Sequence, residues 1–211
     1  LIDERVDGSG RIREEKYHDE RGLIAYVSHL NASKRTESSI IHLTASDEAQ
    51  KIRAEIAMQY TDATSENLLA FGNNIFNPDG GTHVSGFKTA LTRTINGYAK
   101  RNNLLKDLTP TGDDLREGLT AIVSVKIADP QFNNQTKEKL LNQEAESFVS
   151  QMVSEGLGAW LDEHPGEAKQ IALKAALAAQ AREAARKARE LIKRKGALDS
   201  GGMPHKLADC S

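Results

Sequence analysis

Apolar positions along this 211-residue chain change period from one stretch to the next. From Ile52 to Tyr60 they alternate: Ile52, Ala54, Ile56, Met58 and Tyr60 share one face, and Arg53, Glu55 and Gln59 lie on the other. That pattern predicts a strand with one buried side. ENLLAFGNNI at 66–75 is its expected partner, and IIHL at 40–43 is a shorter strand candidate. Asn77, Pro78, Asp79, Gly80 and Gly81 are turn residues that end the segment. LTAIVSVKI at 119–127 is apolar on both faces as far as Lys126, so it predicts a central strand, stopped by Asp129 and Pro130.

Other stretches repeat every three to four residues, the period of a helix face. Leu23, Val27 and Leu30 form a short example. Val84, Phe87, Leu91, Ile95 and Tyr98 form a longer one, with Thr82 placed to cap its first turn. Thr111 to Asp114 opens a helical turn, with carboxylates where the helix dipole favours them. From about Lys137 to Leu161 the expected helix carries Leu141, Ala145, Phe148, Met152 and Trp160, until His164, Pro165 and Gly166 interrupt it. Glu167 to Gly196 is Ala-rich and predicts one further helix, roughly 45 Å long, read as an arm towards a following domain. Residues 1–20 are mostly polar and read as a frayed start or a loop. The order of elements predicts an α/β (α+β) domain with a helical extension.

Composition narrows the class. Hydrophobic residues make up 38%, aromatics 5% and charged residues 27%, so the core is modest. The net charge of −2 means that any attraction to nucleic acid has to come from local clustering. The one cysteine, Cys210, cannot form an internal disulfide, which fits a reducing cytosol. No run approaches the ~20 apolar residues of a membrane span. A first residue of Leu1 and an abrupt KLADCS end give the expectation of a piece of a longer protein.

Candidate chemistry is concentrated in the loop at 131–139, where Gln131, Asn133, Asn134, Gln135, Thr136 and Lys137 follow a strand and precede a helix. Amides at a helix start attract anions, and a lysine adds a movable charge suited to phosphate. From the residues alone, a solvated loop with a surface lysine is the commoner reading. The chain has no Walker-type glycine loop, so such a loop could only complete a nucleotide site built elsewhere. Asp113, Asp114 and Glu117 read as helix-capping acids, and His29, His42, His83 and His164 lack metal-ligand spacing, so no metal site is expected. On the last helix, Leu177, Ala181, Ala184, Ala188 and Leu191 form an apolar stripe. Arg182, Arg186, Arg189 and Lys193 form a basic stripe about 100° away, either a track for a phosphate backbone or a solvated face paired with Glu183 and Glu190.

Several segments, in order, resemble the transducer region of bacterial DNA gyrase B: GGTHVSGF at 80–87, TGDDLREGL at 111–119, QTKEKL at 135–140, AREAARKARELIKRKGALD at 181–199 and KLADC at 206–210. The resemblance implies a fold like the second domain of ribosomal protein S5 with a long C-terminal connecting helix. It divides the chain into an entry segment at 1–20, the transducer domain at 21–163, a connecting helix at 164–199 and a junction at 200–211. Carried over, Gln135 and Lys137 contact the γ-phosphate of ATP, and Lys137 completes the catalytic site of a GHKL-type ATPase domain preceding this chain. The implied cofactors, ATP and Mg2+, belong to the parent protein, and the fragment alone is expected to be inactive. The implied partners are that ATPase domain and a following toprim domain in the same chain, gyrase A in an A2B2 heterotetramer, and double-stranded DNA, for which Lys88 and Arg93 on the helix after GGTH are further candidate contacts. A cytoplasmic ATP-dependent type II topoisomerase that supercoils DNA, without membrane attachment, is the implied whole. The alternatives are the equivalent B protein of topoisomerase IV, a DNA-binding module using the basic helix, and a spacer whose long helix pairs with a copy of itself.

Overall fold

Two short strands open the chain, β1 (Ile2–Val6) and β2 (Ile12–Glu14), followed by α1 (Leu23–Leu30), β3 (Ile41–Asp47), β4 (Ile52–Tyr60), β5 (Asn67–Gly72) and β6 (Ile75–Phe76). Then come α2 (Thr82–Arg101), α3 (Gly112–Arg116), β7 (Leu119–Ile127), α4 (Gln143–Glu163) and α5 (Pro165–Asp199). The computed structural model describes residues 2–6, 12–14, 19–105 and 109–199, with side chains at 19–105 and 109–192. The junction assigned to 200–211, with Cys210, and the side chain of Lys193 lie outside the described residues.

The expected α/β fold with a long final helix is what the chain forms. The main sheet runs β3-β4-β7-β5-β6. β7 takes the centre because a strand apolar on both faces loses least when flanked and covered on both sides. It pairs antiparallel with the whole of β4, from Ile52 opposite Ile127 to Tyr60 opposite Leu119. It pairs parallel with β5, from Asn67 opposite Thr120 to Gly72 opposite Val125. The expectation that 66–75 pairs with β4 is therefore overturned: β7 lies between them, and α2 and α3 supply the crossover that a parallel pair needs.

The alternation in β4 sends Ile52, Ala54, Ile56, Met58 and Tyr60 into the main core with Phe87, Leu91 and Ile95 of α2 and Val149, Val153 and Leu157 of α4. The opposite face is not uniformly polar. Ala57 and Ile122 are buried there with Val27 of α1, and Gln59 beside them is satisfied by Asn31 at 2.9 Å and by the Ser38 carbonyl at 2.9 Å.

Four boundaries differ from expectation. Residues 1–20 are not simply a loop, since β1 and β2 pair antiparallel; their few apolar residues stand too far apart among charges to give a periodic signal. Thr82 is the first residue of α2 rather than its cap, which is Gly81. α4 begins at Gln143, not near Lys137, and Leu141 lies outside it, 42% exposed. α5 is less an arm than expected at its start: Ala168, Ile171, Ala172, Ala175, Ala178 and Ala179 are buried against the domain. The expected apolar stripe points elsewhere, with Leu177 66% and Leu191 59% exposed. Where alanine occupies most sides of a helix, apolar spacing cannot say which side docks.

Polar contacts fasten α5 along the docked length. Glu167 accepts from the Ser39 amide at 2.5 Å, and Lys174 pairs with Glu37 at 2.9 Å and donates to the Thr61 carbonyl. Arg182 pairs with Asp114 at 3.0 Å. Asp114 also closes the capping box of α3, accepting from the Thr111 amide at 2.7 Å while its own amide donates to the Thr111 hydroxyl. Burial by itself would raise the Asp114 carboxyl, but the hydrogen bonds from Arg182 and Thr111 outweigh it and hold the group below its ordinary range. Asp114→Ala is expected to cost about 2 kcal/mol, from the lost cap and the lost ion pair. Because the folded value is lowered, the Asp114 contribution is present above the ordinary carboxylate range and is lost as pH falls through that range and below it. Urea melts of both proteins at pH 7 and pH 3 test this: the gap between them narrows at pH 3.

Candidate functional site

The loop after β7 is held at its base and raised at its tip. Asn73 continues the β7 ladder with its side chain, donating to the Ile127 carbonyl at 2.9 Å and accepting from the Ile127 amide at 2.8 Å. Asn142, 3% exposed, ties both ends: its Oδ1 accepts from the Gln131 amide at 2.7 Å and its Nδ2 donates to the Asp129 carbonyl at 3.0 Å. The Leu141 amide donates to the Gln131 carbonyl at 2.8 Å, and the Asn133 amide to the Lys139 carbonyl at 3.1 Å. Beneath, buried Leu140 pairs with the turn before α2. Its amide donates to the Gly80 carbonyl at 3.1 Å, and its carbonyl accepts from the Thr82 amide at 3.0 Å. The Thr82 hydroxyl donates to the Asn142 carbonyl at 2.6 Å. Gly81, at φ 140°, lies so close that a Cβ there would collide with the Leu140 carbonyl.

This bracing leaves 134–138 as the tip. Gln135, Thr136 and Lys137 are exposed there, so the structure brings the two predicted phosphate-contact residues, Gln135 and Lys137, together on one turn. Lys137 has a left-handed backbone, φ 57°, which non-glycine residues adopt at about 1 kcal/mol or more unless held. Its amide donates to the Asn134 carbonyl at 3.2 Å, and its carbonyl accepts from Asn77 Nδ2 at 2.7 Å. Its ammonium sits 5.8 Å from the Phe132 ring centroid. Among the described residues no carboxylate pairs with it. An exposed ammonium over an aromatic face, with no carboxylate beside it among the described residues, is open to an incoming anion.

The other candidates are dispersed. Lys88 pairs with Glu66 at 3.1 Å, which also holds Arg116 at 3.1 Å. Arg93 donates to the Ser154 hydroxyl at 2.7 Å. Arg182 is engaged by Asp114, and Arg186 by Glu183 at 2.9 Å and Glu190 at 2.8 Å. Arg189 is exposed on α5. Several of the basic residues proposed for DNA thus already have carboxylate partners. Asn73, Asn77, Phe132 and Asn142 were not singled out by sequence reasoning. Of these, only Asn77 reads as a turn residue; Asn73 falls in the 66–75 strand candidate and Asn142 inside the helix expected from about Lys137, so none carries a signal for a site.

His83, in the first turn of α2, is fully buried, and neither ring nitrogen has a hydrogen-bond partner among the described residues. Burial lowers its pKa from 6.5 to about 4, because an imidazolium there would lose its hydration. As pH falls from 6.5 towards 4, the unfolded chain takes up a proton that the folded chain refuses, so stability is lost over that window, about 3 kcal/mol by pH 4. Melts at pH 7 and pH 4.5 should show a smaller acid loss in His83→Leu than in the unsubstituted protein. Equal losses in the two would refute a neutral buried imidazole.

A family model for DNA gyrase B matches residues 22–191. The chain belongs to the DNA gyrase B family. It is 48% identical over 202 residues to the DNA gyrase B protein of Halalkalibacterium halodurans, covering 94% of this chain and 31% of that protein. It is 49% identical over 206 residues to the DNA gyrase B protein of Myxococcus xanthus, covering 94% of this chain and 25% of that protein. The chain thus spans about a quarter to a third of the length of these relatives. Among solved structures, the 43K ATPase domain of Thermus thermophilus gyrase B, in complex with an aminocoumarin, matches with a TM-score of 0.77 and 40% identity, over 86% of this chain and 49% of that one. The topoisomerase IV ATP-binding domain of Francisella tularensis matches with a TM-score of 0.69 and 30% identity, over 81% of this chain and 46% of that one. Among the described residues no helix is long and apolar enough to cross a membrane.

Proposed function

We propose that this gyrase B segment is the transducer of an ATP-dependent type II topoisomerase, with the domain limits set out above. The observation that carries the reading is the braced tip at 134–138, which presents Lys137 with no carboxylate partner among the described residues. The matched solved structures support it, since this chain accounts for only 49% and 46% of an ATPase and an ATP-binding domain. The remainder of such a domain would hold the nucleotide and Mg2+, and this chain would add to it. Bound ATP would supply a terminal phosphate whose charge the Lys137 ammonium and the Gln135 amide can meet. The residues present fit that supplementary role, one cation and one amide on an exposed turn, and not a complete site.

From the tip, the path inward is short. Asn77, Gly80, Gly81 and Thr82 tie the loop to the start of α2, and Asn142 ties it to the start of α4. α4 passes into α5 through His164 and Pro165. The His164 amide donates to the Trp160 carbonyl at 2.9 Å, the Ala168 amide donates to the His164 carbonyl at 2.9 Å, and the Trp160 and His164 rings stack with centroids 4.7 Å apart. Pro165 stands where α5 begins, at a position that needs no amide donor. A stiff elbow of this kind carries a displacement of the loop into α5 as rotation. The segment therefore acts as a ligand-biased two-state element, with the chemistry assembled in its neighbour. The toprim domain, gyrase A in an A2B2 assembly, double-stranded DNA and a cytoplasmic setting belong to this reading of the parent protein. The equivalent B protein of topoisomerase IV is the second reading; the higher identity of the gyrase match, 40% against 30%, favours gyrase. ATP hydrolysis by the full-length protein carrying Lys137→Ala tests the proposal.

A further inference from the structure

Asn77 reaches the Lys137 backbone from the far side of the turn. Its own backbone is fixed first: the amide donates to the Ala70 carbonyl of β5 at 2.8 Å, and the carbonyl accepts from the Gly80 amide at 2.9 Å. The residue is 1% exposed. From there Nδ2 donates to the Lys137 carbonyl at 2.7 Å. The buried Oδ1 has no hydrogen-bond partner among the described residues, and it faces Gly72, where a Cβ would come within 3.1 Å of it. A buried amide with one end unsatisfied contributes little to folding, because the desolvation of that end offsets the bond made by the other. What the amide does supply is direction.

Lys137 needs direction. Its left-handed backbone, φ 57°, is one that lysine keeps only when it is held. Asn134 holds the amide, Asn77 holds the carbonyl, and Phe132 lies under the ammonium. The same Phe132 ring would lie 3.4 Å from a Cβ at Gly72, so the small residue makes room for both supports. We propose that Asn77 is the positioning residue for Lys137: the turn after β6, through one buried amide, sets the backbone from which the lysine meets the terminal phosphate. This rests on the reading of Lys137 as a phosphate contact.

The test uses the full-length protein with Asn77→Ala and Asn77→Asp, each alone and combined with Lys137→Ala. Aspartate keeps the shape but cannot donate to the carbonyl; alanine avoids placing a charge in the core should the aspartate variant fail to fold. The readouts are kcat for ATP hydrolysis and nucleotide Kd by calorimetry. Each Asn77 variant is expected to lower kcat about five- to tenfold and to leave Kd within about twofold. In the Lys137→Ala background the same change is expected to alter kcat by less than about twofold, because a residue that acts through Lys137 has nothing left to position. Unchanged kcat in both Asn77 variants, or effects that multiply in the double variants, would overturn the inference alone. Unchanged hydrolysis in Lys137→Ala would overturn the phosphate-contact reading and the inference with it.

Discussion

Lys137→Ala in the full-length protein is expected to lower ATP hydrolysis at least about tenfold, with nucleotide affinity nearly unchanged. A tenfold loss corresponds to about 1.4 kcal/mol of transition-state stabilisation, a modest demand on one ammonium facing developing phosphate charge. Affinity should hold because, under the proposed reading, this chain would add only Gln135 and Lys137 to a nucleotide held elsewhere in the protein. The fold should hold too: the Lys137 side chain is exposed, and its backbone bonds to Asn134 and Asn77 do not depend on it. A loss of kcat at constant Kd marks an interaction made in the transition state. Hydrolysis at the unsubstituted rate would reduce the tip to a surface feature and move attention to the arginines of α5.

Gly81→Ala is expected to destabilise the domain by about 3–5 kcal/mol. Two separate effects converge there. At φ 140° and ψ −163° the backbone occupies a region that is open to glycine and closed to alanine. The added methyl would also meet the Leu140 carbonyl, whose acceptance of the Thr82 amide joins the loop to α2. Neither partner can give way without breaking that pairing. Gly97→Ala is the control: it lies inside α2 with nothing within 4 Å of the new Cβ, so it should be neutral or slightly stabilising. Urea denaturation of the two variants beside the unsubstituted chain decides the matter. A Gly81→Ala midpoint equal to that of the control would mean that the turn relaxes freely and that the loop is not pinned there.

Much of the fold was legible because the strongest signals were local. β4 and β7 each carry their placement in their own pattern, one-sided alternation in the first and apolar residues on both faces in the second. The α3 capping box is equally local, since Thr111 and Asp114 stand one helical turn apart. The tip residues Gln135 and Lys137 were found through a resemblance in the QTKEKL segment; their composition and spacing alone suit any solvated loop. Asn77 and Asn142 were missed because their partners, Lys137 and Gln131, lie 60 and 11 residues away. Nothing in a turn-forming asparagine tells which carbonyl its amide will meet.

By itself the sequence determined most of the strands and helices after residue 20, that β7 is central, that α5 is long, and that the chain belongs with the gyrase B family. Those follow from side-chain periodicity, propensity and ordered motifs, all of which act over a few residues. Only the tertiary structure decided that β7 separates β4 from β5, that Ala168 to Ala179 and not the Leu177 stripe is the docked side of α5, and that α4 starts after Leu140 has paired with Gly80 and Thr82. Those outcomes depend on contacts between distant segments, where burial of both faces of a strand, or one backbone hydrogen bond made across about 60 residues, outweighs any local preference.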